Sequence, residues 1–185
     1  MIKIFRRSLT ENEAALLVSE IKKTPNITGY KIKELIDCEN CIVAEDENSN
    51  FIGACISHKF IKNWIKISTL FVLADYRNLG IGKRLFCESC EDAAKAGKNI
   101  YTSSRNPTVI RVLEDLKFIK FESLNKLLNS YRNHKFLFVI HYIKWIMNTY
   151  RLKEMARKKI TYRKEQPFIH AVKINRFETV SQLKR

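Results

Sequence analysis

Between Ile65 and Phe86 the chain turns one corner that leaves few folds open to it. The apolar positions Ile65, Ile67 and Leu70 to Leu73 predict a strand. The run breaks at Asp75, passes through Arg77-Asn78-Leu79-Gly80-Ile81-Gly82 and resumes as a helix carrying Leu85 and Phe86. A strand feeding a glycine-bearing turn and then a helix start forms a concave array of backbone N–H groups. With the helix dipole behind them, those donors suit a phosphate or pyrophosphate. Gly80 and Gly82 let backbone approach ligand without an intervening Cβ, and Arg77, Lys83 and Arg84 add positive charge.

Two common phosphate-binding patterns fail here. The nucleoside-triphosphate loop needs Gly-x-x-x-x-Gly-Lys-Ser/Thr. In this chain Arg84 follows Gly82-Lys83, and Arg77 stands where the first glycine belongs. The dinucleotide fingerprint Gly-x-Gly-x-x-Gly meets Leu85 at its third glycine. Arg-x-x-Gly-x-Gly does fit, filled by Arg77, Gly80 and Gly82. It resembles the acyl-CoA signature of the GNAT superfamily of N-acetyltransferases, whose upstream Val-x-Pro-x-x-Arg departs here only at Ala74. A second segment, Asn106 to Phe118, resembles the superfamily's next motif at Asn106, Val109, Val112, Leu113, Lys117 and Phe118.

The resemblance implies acetyl-CoA as cosubstrate and an N-acetyltransferase working by direct attack of a primary amine in a ternary complex. It implies coenzyme contacts at Leu70, Phe71, Val72, Leu73, Arg77, Asn78, Leu79, Gly80, Ile81, Gly82, Lys83, Arg84 and Asn106. The pantetheine arm is expected between splayed strands Ile67–Leu73 and Ile100–Ser103. Leu113 holds the position where many members carry a proton-donating tyrosine, and Lys117 replaces a turn glycine. Several members also place a glutamate on the strand before the turn. This chain carries Lys66, Ser68 and Thr69 there. Glu45 and His58 remain as base candidates, and Tyr101 or Ser103 as proton donors. Two other readings stay open: a CoA-binding module without catalysis, and an acetyltransferase directed at aminoacyl-tRNA.

The remaining features bound the class. With 185 residues, 45% of them apolar, and only five glycines and three prolines, the chain reads as one globular domain, 1–185. The basic start has no apolar stretch or cleavage site behind it, and Phe136 to Met147 is too short to span a bilayer. A cytoplasmic protein without a transmembrane segment is expected. Cys38/Cys41 and Cys87/Cys90 have Cys-x-x-Cys spacing, but the first pair enters a strand and the second lies on a helix, so no metal is expected.

Formal charge is +15, and residues 119–165 hold twelve Lys/Arg against three Asp/Glu. The surplus admits RNA or tRNA as a partner through 151–164 and disfavours polyamine acceptors, which need acidic pockets. A small-molecule or protein amine is the expected acceptor.

Periodicity and caps give the architecture. Expected strands are Ile2–Arg6, Cys41–Glu45, Phe51–Phe60, Trp64–Leu73, Ile100–Ser103, Phe118–Glu122 and Ile169–Ile174. Expected helices are Glu11–Lys23, opened by a Thr10/Glu13 capping box, then Tyr30–Ile36, Lys83–Gly97 and Thr108–Leu116. The fold class is α/β (α+β): a mixed, mostly antiparallel sheet with splayed central parallel strands, flanked by helices. A basic, aromatic helical insertion at about 124–165 precedes the last strand. Asn129–Lys159 reads as one or two helices, with Phe136–Met147 apolar almost all round and therefore expected to be buried, as a hairpin packing on the sheet. A homodimer contact, a membrane anchor or a lid over the acceptor are the alternatives.

Overall fold

The computed structural model describes residues 1–27, 29–162 and 166–175. Its seven strands form one sheet in the order β1-β2-β3-β4-β5-β7-β6. Strands β1 (Lys3–Arg6), β2 (Asn40–Glu45), β3 (Phe51–Ile61) and β4 (Trp64–Val72) form an antiparallel meander. β5 (Asn99–Ser104) runs parallel to β4, and β7 (Ile169–Lys173) inserts antiparallel between β5 and β6 (Ile119–Phe121).

One face carries α3 (Ile81–Lys95) and α4 (Pro107–Asp115). Leu85, Phe86, Val112 and Leu113 pack there with Ile52, Ile67, Ile100 and Phe118. The other face is shared. α1 (Glu11–Lys22) and α2 (Ile32–Ile36) cover the meander through Leu17, Ile21 and Leu35. α5 (Leu124–Ser130) and α6 (Lys135–Ile146) cover the β5–β7 side through Leu127, Leu128 and Phe138. The Thr10 capping box is complete: its hydroxyl accepts from the Glu13 N–H, and Glu13 accepts from the Thr10 N–H.

The insertion departs from expectation. Over Asn129–Lys159 the expected helices are present as α6 and α7 (Thr149–Thr161), with α5 added before them. Ser123 caps α5 and Asn148 caps α7 by accepting backbone N–H groups, and it is the burial that differs. Phe136 is 74% exposed and Met147 71%, so α6 buries Phe138 but is not enclosed all round. α7 leaves α6 and crosses to α1. There Arg157 donates to the Lys22 carbonyl at 3.0 Å and Tyr162 to the Lys23 carbonyl at 2.8 Å. Lys158 Nζ donates to the carbonyls of Ile21, Thr24 and Ile27 at 2.5–2.6 Å. Part of the basic run is therefore internal fastening rather than surface. Its Arg163 and Lys164 lie outside the described residues.

Candidate active site

The parting of β4 and β5 has a local cause. Opposite β3, Ile67 pairs with Ser57 and Thr69 with Ile56, so Ser68 is an extra residue in β4. Such a bulge bends its strand and turns the following side chains to the opposite face. Ser68 Oγ donates to the Ile56 carbonyl at 3.2 Å. The parallel ladder with β5 stops one residue earlier, at Ile67–Thr102, where Thr102 Oγ1 donates to the Ile67 carbonyl at 2.9 Å. Beyond that pair the strands continue apart, and a cavity of about 710 Å³ opens between them.

The glycine turn closes the far end of this cavity. A single 3₁₀ turn at Ala74–Tyr76 follows β4, then Asn78 and Gly80 adopt φ of 64° and 74°. Arg77 Nε donates to the Val72 carbonyl at 3.0 Å and holds the turn against its strand. α3 begins without a side-chain cap, which leaves its first N–H groups without a partner in the helix. Lys83 is paired with Asp115 at 2.8 Å, which raises the lysine's pKa and lowers the carboxyl's.

Of the residues expected to contact coenzyme, Leu70, Phe71, Val72, Arg77, Asn78, Gly80, Ile81, Gly82, Lys83 and Asn106 line this cavity. Leu73, Leu79 and Arg84 do not. Asn106 caps α4, its Oδ1 accepting from the Thr108 N–H at 2.9 Å. Leu113 is fully buried beneath α4 in the core and offers no proton at the cavity.

A second cavity, about 760 Å³, lies on the face covered by α1, α5, α6 and α7. It shares Ile67, Ser68, Ser103 and the loop Pro25–Ile27 with the first, so the two meet at the bulge. Tyr101 and Ser103 both line it. Tyr101 Oη lies 2.9 Å from His170 Nδ1, and the two rings are nearly parallel at 4°.

His58 is adjacent to this cavity rather than in its wall. Its ring stacks on that of Tyr30, a wall residue, with centroids 6.3 Å apart. Glu45 is not brought to either cavity. Two strands away from the gap, it accepts from Arg7 Nη2 at 2.6 Å, and Arg7 also holds Glu13.

Burial dominates the electrostatics here. It pushes His170 down to about 4, aided by Lys66, and His58 down to about 4, aided by Arg151 and Lys66. Lys66 itself is pushed down to about 8 by burial and by Arg151. Burial raises Tyr30 against the pull of the Ser68 and Thr69 hydroxyls beside it.

Lys66, His170 and Tyr30 were not among the residues singled out from sequence. For Lys66 a signal existed, a charged residue inside an apolar strand. For His170 and Tyr30 none did, because their place depends on which strands and loops adjoin. Among the described residues no group of three or more His, Cys, Asp or Glu is arranged to hold a metal ion. No helix among them is long and apolar enough to cross a membrane.

Comparisons with known proteins agree with this geometry. The Acetyltransferase (GNAT) domain family matches residues 37–120. Acetyltransferase Atu2258 of Agrobacterium fabrum is 32% identical over 89 residues, 48% of this chain; the match spans only 64% of that relative's length. Two crystal structures share the fold at low identity. N-acetylglutamate synthase from Neisseria gonorrhoeae, complexed with coenzyme A and N-acetyl-glutamate, superposes with a TM-score of 0.60 at 14% identity. That match covers 93% of this chain and 35% of the synthase. The ribosomal-protein-S18-alanine N-acetyltransferase from Escherichia coli gives 0.52 at 16% identity, covering 65% of this chain and 79% of the enzyme. Residues 37–120 thus match the GNAT domain family, and the sheet built around them has the fold of these acetyltransferase structures.

Proposed function

We propose that this protein is an N-acetyltransferase that moves an acetyl group from acetyl-CoA to a primary amine while both are bound. The observation that carries this reading is the bulge-opened gap between β4 and β5, joined at Ser68 to a second cavity and closed by an uncapped helix start. The diphosphate sits on the N–H groups at Gly80–Lys83, and the pantetheine arm lies along Leu70–Val72, whose backbone leaves the ladder with β5. The thioester reaches the neck at Ser68 and Ser103, and the amine enters from the second cavity. The neighbour complexed with coenzyme A supports the choice of ligand.

The chemistry follows from the neck. The neutral amine attacks the thioester carbonyl carbon, the C–S bond breaks and CoA leaves as a thiolate. A backbone N–H freed by the parting strands stabilises the oxyanion. One proton leaves the amine and one is returned to sulfur. Ser103 at the neck and Tyr101 behind it are the proton carriers, with the neutral imidazole of His170 hydrogen-bonded to the Tyr101 hydroxyl. The chain acts as one unit, and the helices at 124–162 form the acceptor wall.

The test is thiol release from acetyl-CoA with a panel of amines, beside CoA binding by titration. Gly82→Trp fills the first cavity and is expected to abolish CoA binding. Tyr101→Phe is expected to keep CoA affinity and lower kcat at least tenfold. CoA binding with no thiol release on any amine overturns the catalytic reading in favour of a binding module. Failure to bind CoA overturns the assignment.

A further inference from the structure

The second cavity has a chemical character of its own. Its described lining includes Lys66, Arg105, Lys158 and Lys159 and no aspartate or glutamate. Two of these cations have evident structural engagements. Lys158 donates to three backbone carbonyls, and the Arg105 guanidinium stacks 4.0 Å over the Phe168 ring. Lys66 stands on the floor, two residues before the bulged Ser68. It lies opposite Tyr101 in the parallel ladder, with its ammonium 5.6 Å over that ring. The walls beside it are aromatic: Phe60 packs on Tyr101, Phe138 and His141 with centroids 5.1, 4.8 and 4.3 Å apart.

We propose that the acceptor taken by this cavity carries a carboxylate beside an apolar or aromatic body, and that Lys66 is the residue that recognises the carboxylate. This rests on the reading of the cavity as the acceptor site. Three arguments carry it. Charge pairs strengthen in an enclosed, poorly solvated site, so the sign of the lining selects the sign of the ligand. A second ammonium on the acceptor would meet lysines and no counter-charge, which excludes polyamines. An ammonium also has three N–H donors, so Lys66 keeps its neighbours in the protein while donating to a ligand oxygen.

Geometry sets the order of groups along the acceptor. Lys66 and Ser68 are two residues apart on β4, roughly 6.6 Å along the strand. An amine at the neck and a carboxylate within a few bonds of it span that interval, while the body lies against Phe60 and Phe138. The charge of a bound anion offsets the burial that lowers Lys66 to about 8, so binding favours its charged form. A small carboxylate suits Lys66 on the floor beside these aromatic walls, whereas a phosphate dianion needs more donors at that point.

The experiment uses matched pairs differing only in the carboxylate. Binding of N-acetyl-L-phenylalanine is compared with that of N-acetyl-2-phenylethylamine by calorimetry, and the leucine and isoamylamine pair is run alongside. Wild type, Lys66→Met and Lys66→Arg are measured in each case. In at least one pair the carboxylate member is expected to bind wild type at least tenfold more tightly. That preference is expected to vanish in Lys66→Met and to return in Lys66→Arg, with CoA affinity unchanged in all three. Equal binding within both pairs, binding of neither member, a preference for the carboxylate-free members, or a preference that survives in Lys66→Met each overturns the proposal. Because product binding needs no turnover, a failed acetyltransferase assignment appears separately, as absent CoA binding or absent thiol release.

Discussion

At the scale of single residues, Lys66 combines two opposed demands. Its folded-state pKa of about 8 lies below the ordinary 10.5, so between those values the unfolded chain binds more protons than the folded one. Lys66 therefore costs stability below pH 8, and the cost fades as pH rises to about 10.5. Lys66→Met is expected to unfold at higher urea than wild type at pH 7, by on the order of 2 kcal/mol, and the difference is expected to shrink by pH 10.5. His58 and His170 act on the acid side. Both are held near 4 against an ordinary 6.5, so their contribution to stability is lost as pH falls through that window. Urea midpoints between pH 7 and 4 are expected to fall less steeply in His170→Gln than in wild type. Lys117 shows what a motif departure means. The residue standing at the expected glycine has φ of 58°, so the turn before Phe118 is kept at the expense of backbone strain. Lys117→Gly is expected to raise stability by about 0.5 kcal/mol in the same assay.

At the scale of elements, most of the sheet and both glycine-turn neighbours were readable from periodicity and caps. Strand edges differ by at most one residue, and the capping box places the start of α1 at Glu11. What periodicity does not announce is the bulge. Lys66-Ile67-Ser68-Thr69 alternates like any strand, and the extra residue is defined only by the register of β3 beside it. The face reversal at Ser68, which turns Leu70 and Val72 toward α3, was accordingly hidden. The burial of the insertion is hidden for a related reason. An apolar helix reads as buried, but Phe136 and Met147 of that stretch stand in solvent while Phe138 packs against the sheet. The basic segment 151–164, which composition offers to RNA, includes Lys158, yet that lysine is 5% exposed and fastened to three carbonyls. Lys158→Met leaves those carbonyls unsatisfied. It is expected to destabilise by about 2 kcal/mol and to speed amide exchange in 24–27 more than in the β-meander.

At the scale of the whole molecule, a surplus of fifteen positive charges attracts the anionic coenzyme proposed for the first cavity. Electrostatic attraction of this kind acts on arrival more than on residence. The association rate of CoA is expected to fall severalfold between low salt and about 0.15 M, with a smaller change in dissociation rate, measurable by stopped-flow.

The three carbonyl contacts of Lys158 also fix a sequence of events in time. They join residues 131 to 137 positions apart in the chain. On the ribosome, the segment around Thr24 emerges long before the lysine that clasps it. The half that would grip nucleotide can be knitted together first, while the rim facing the second reactant waits for α7 to be translated.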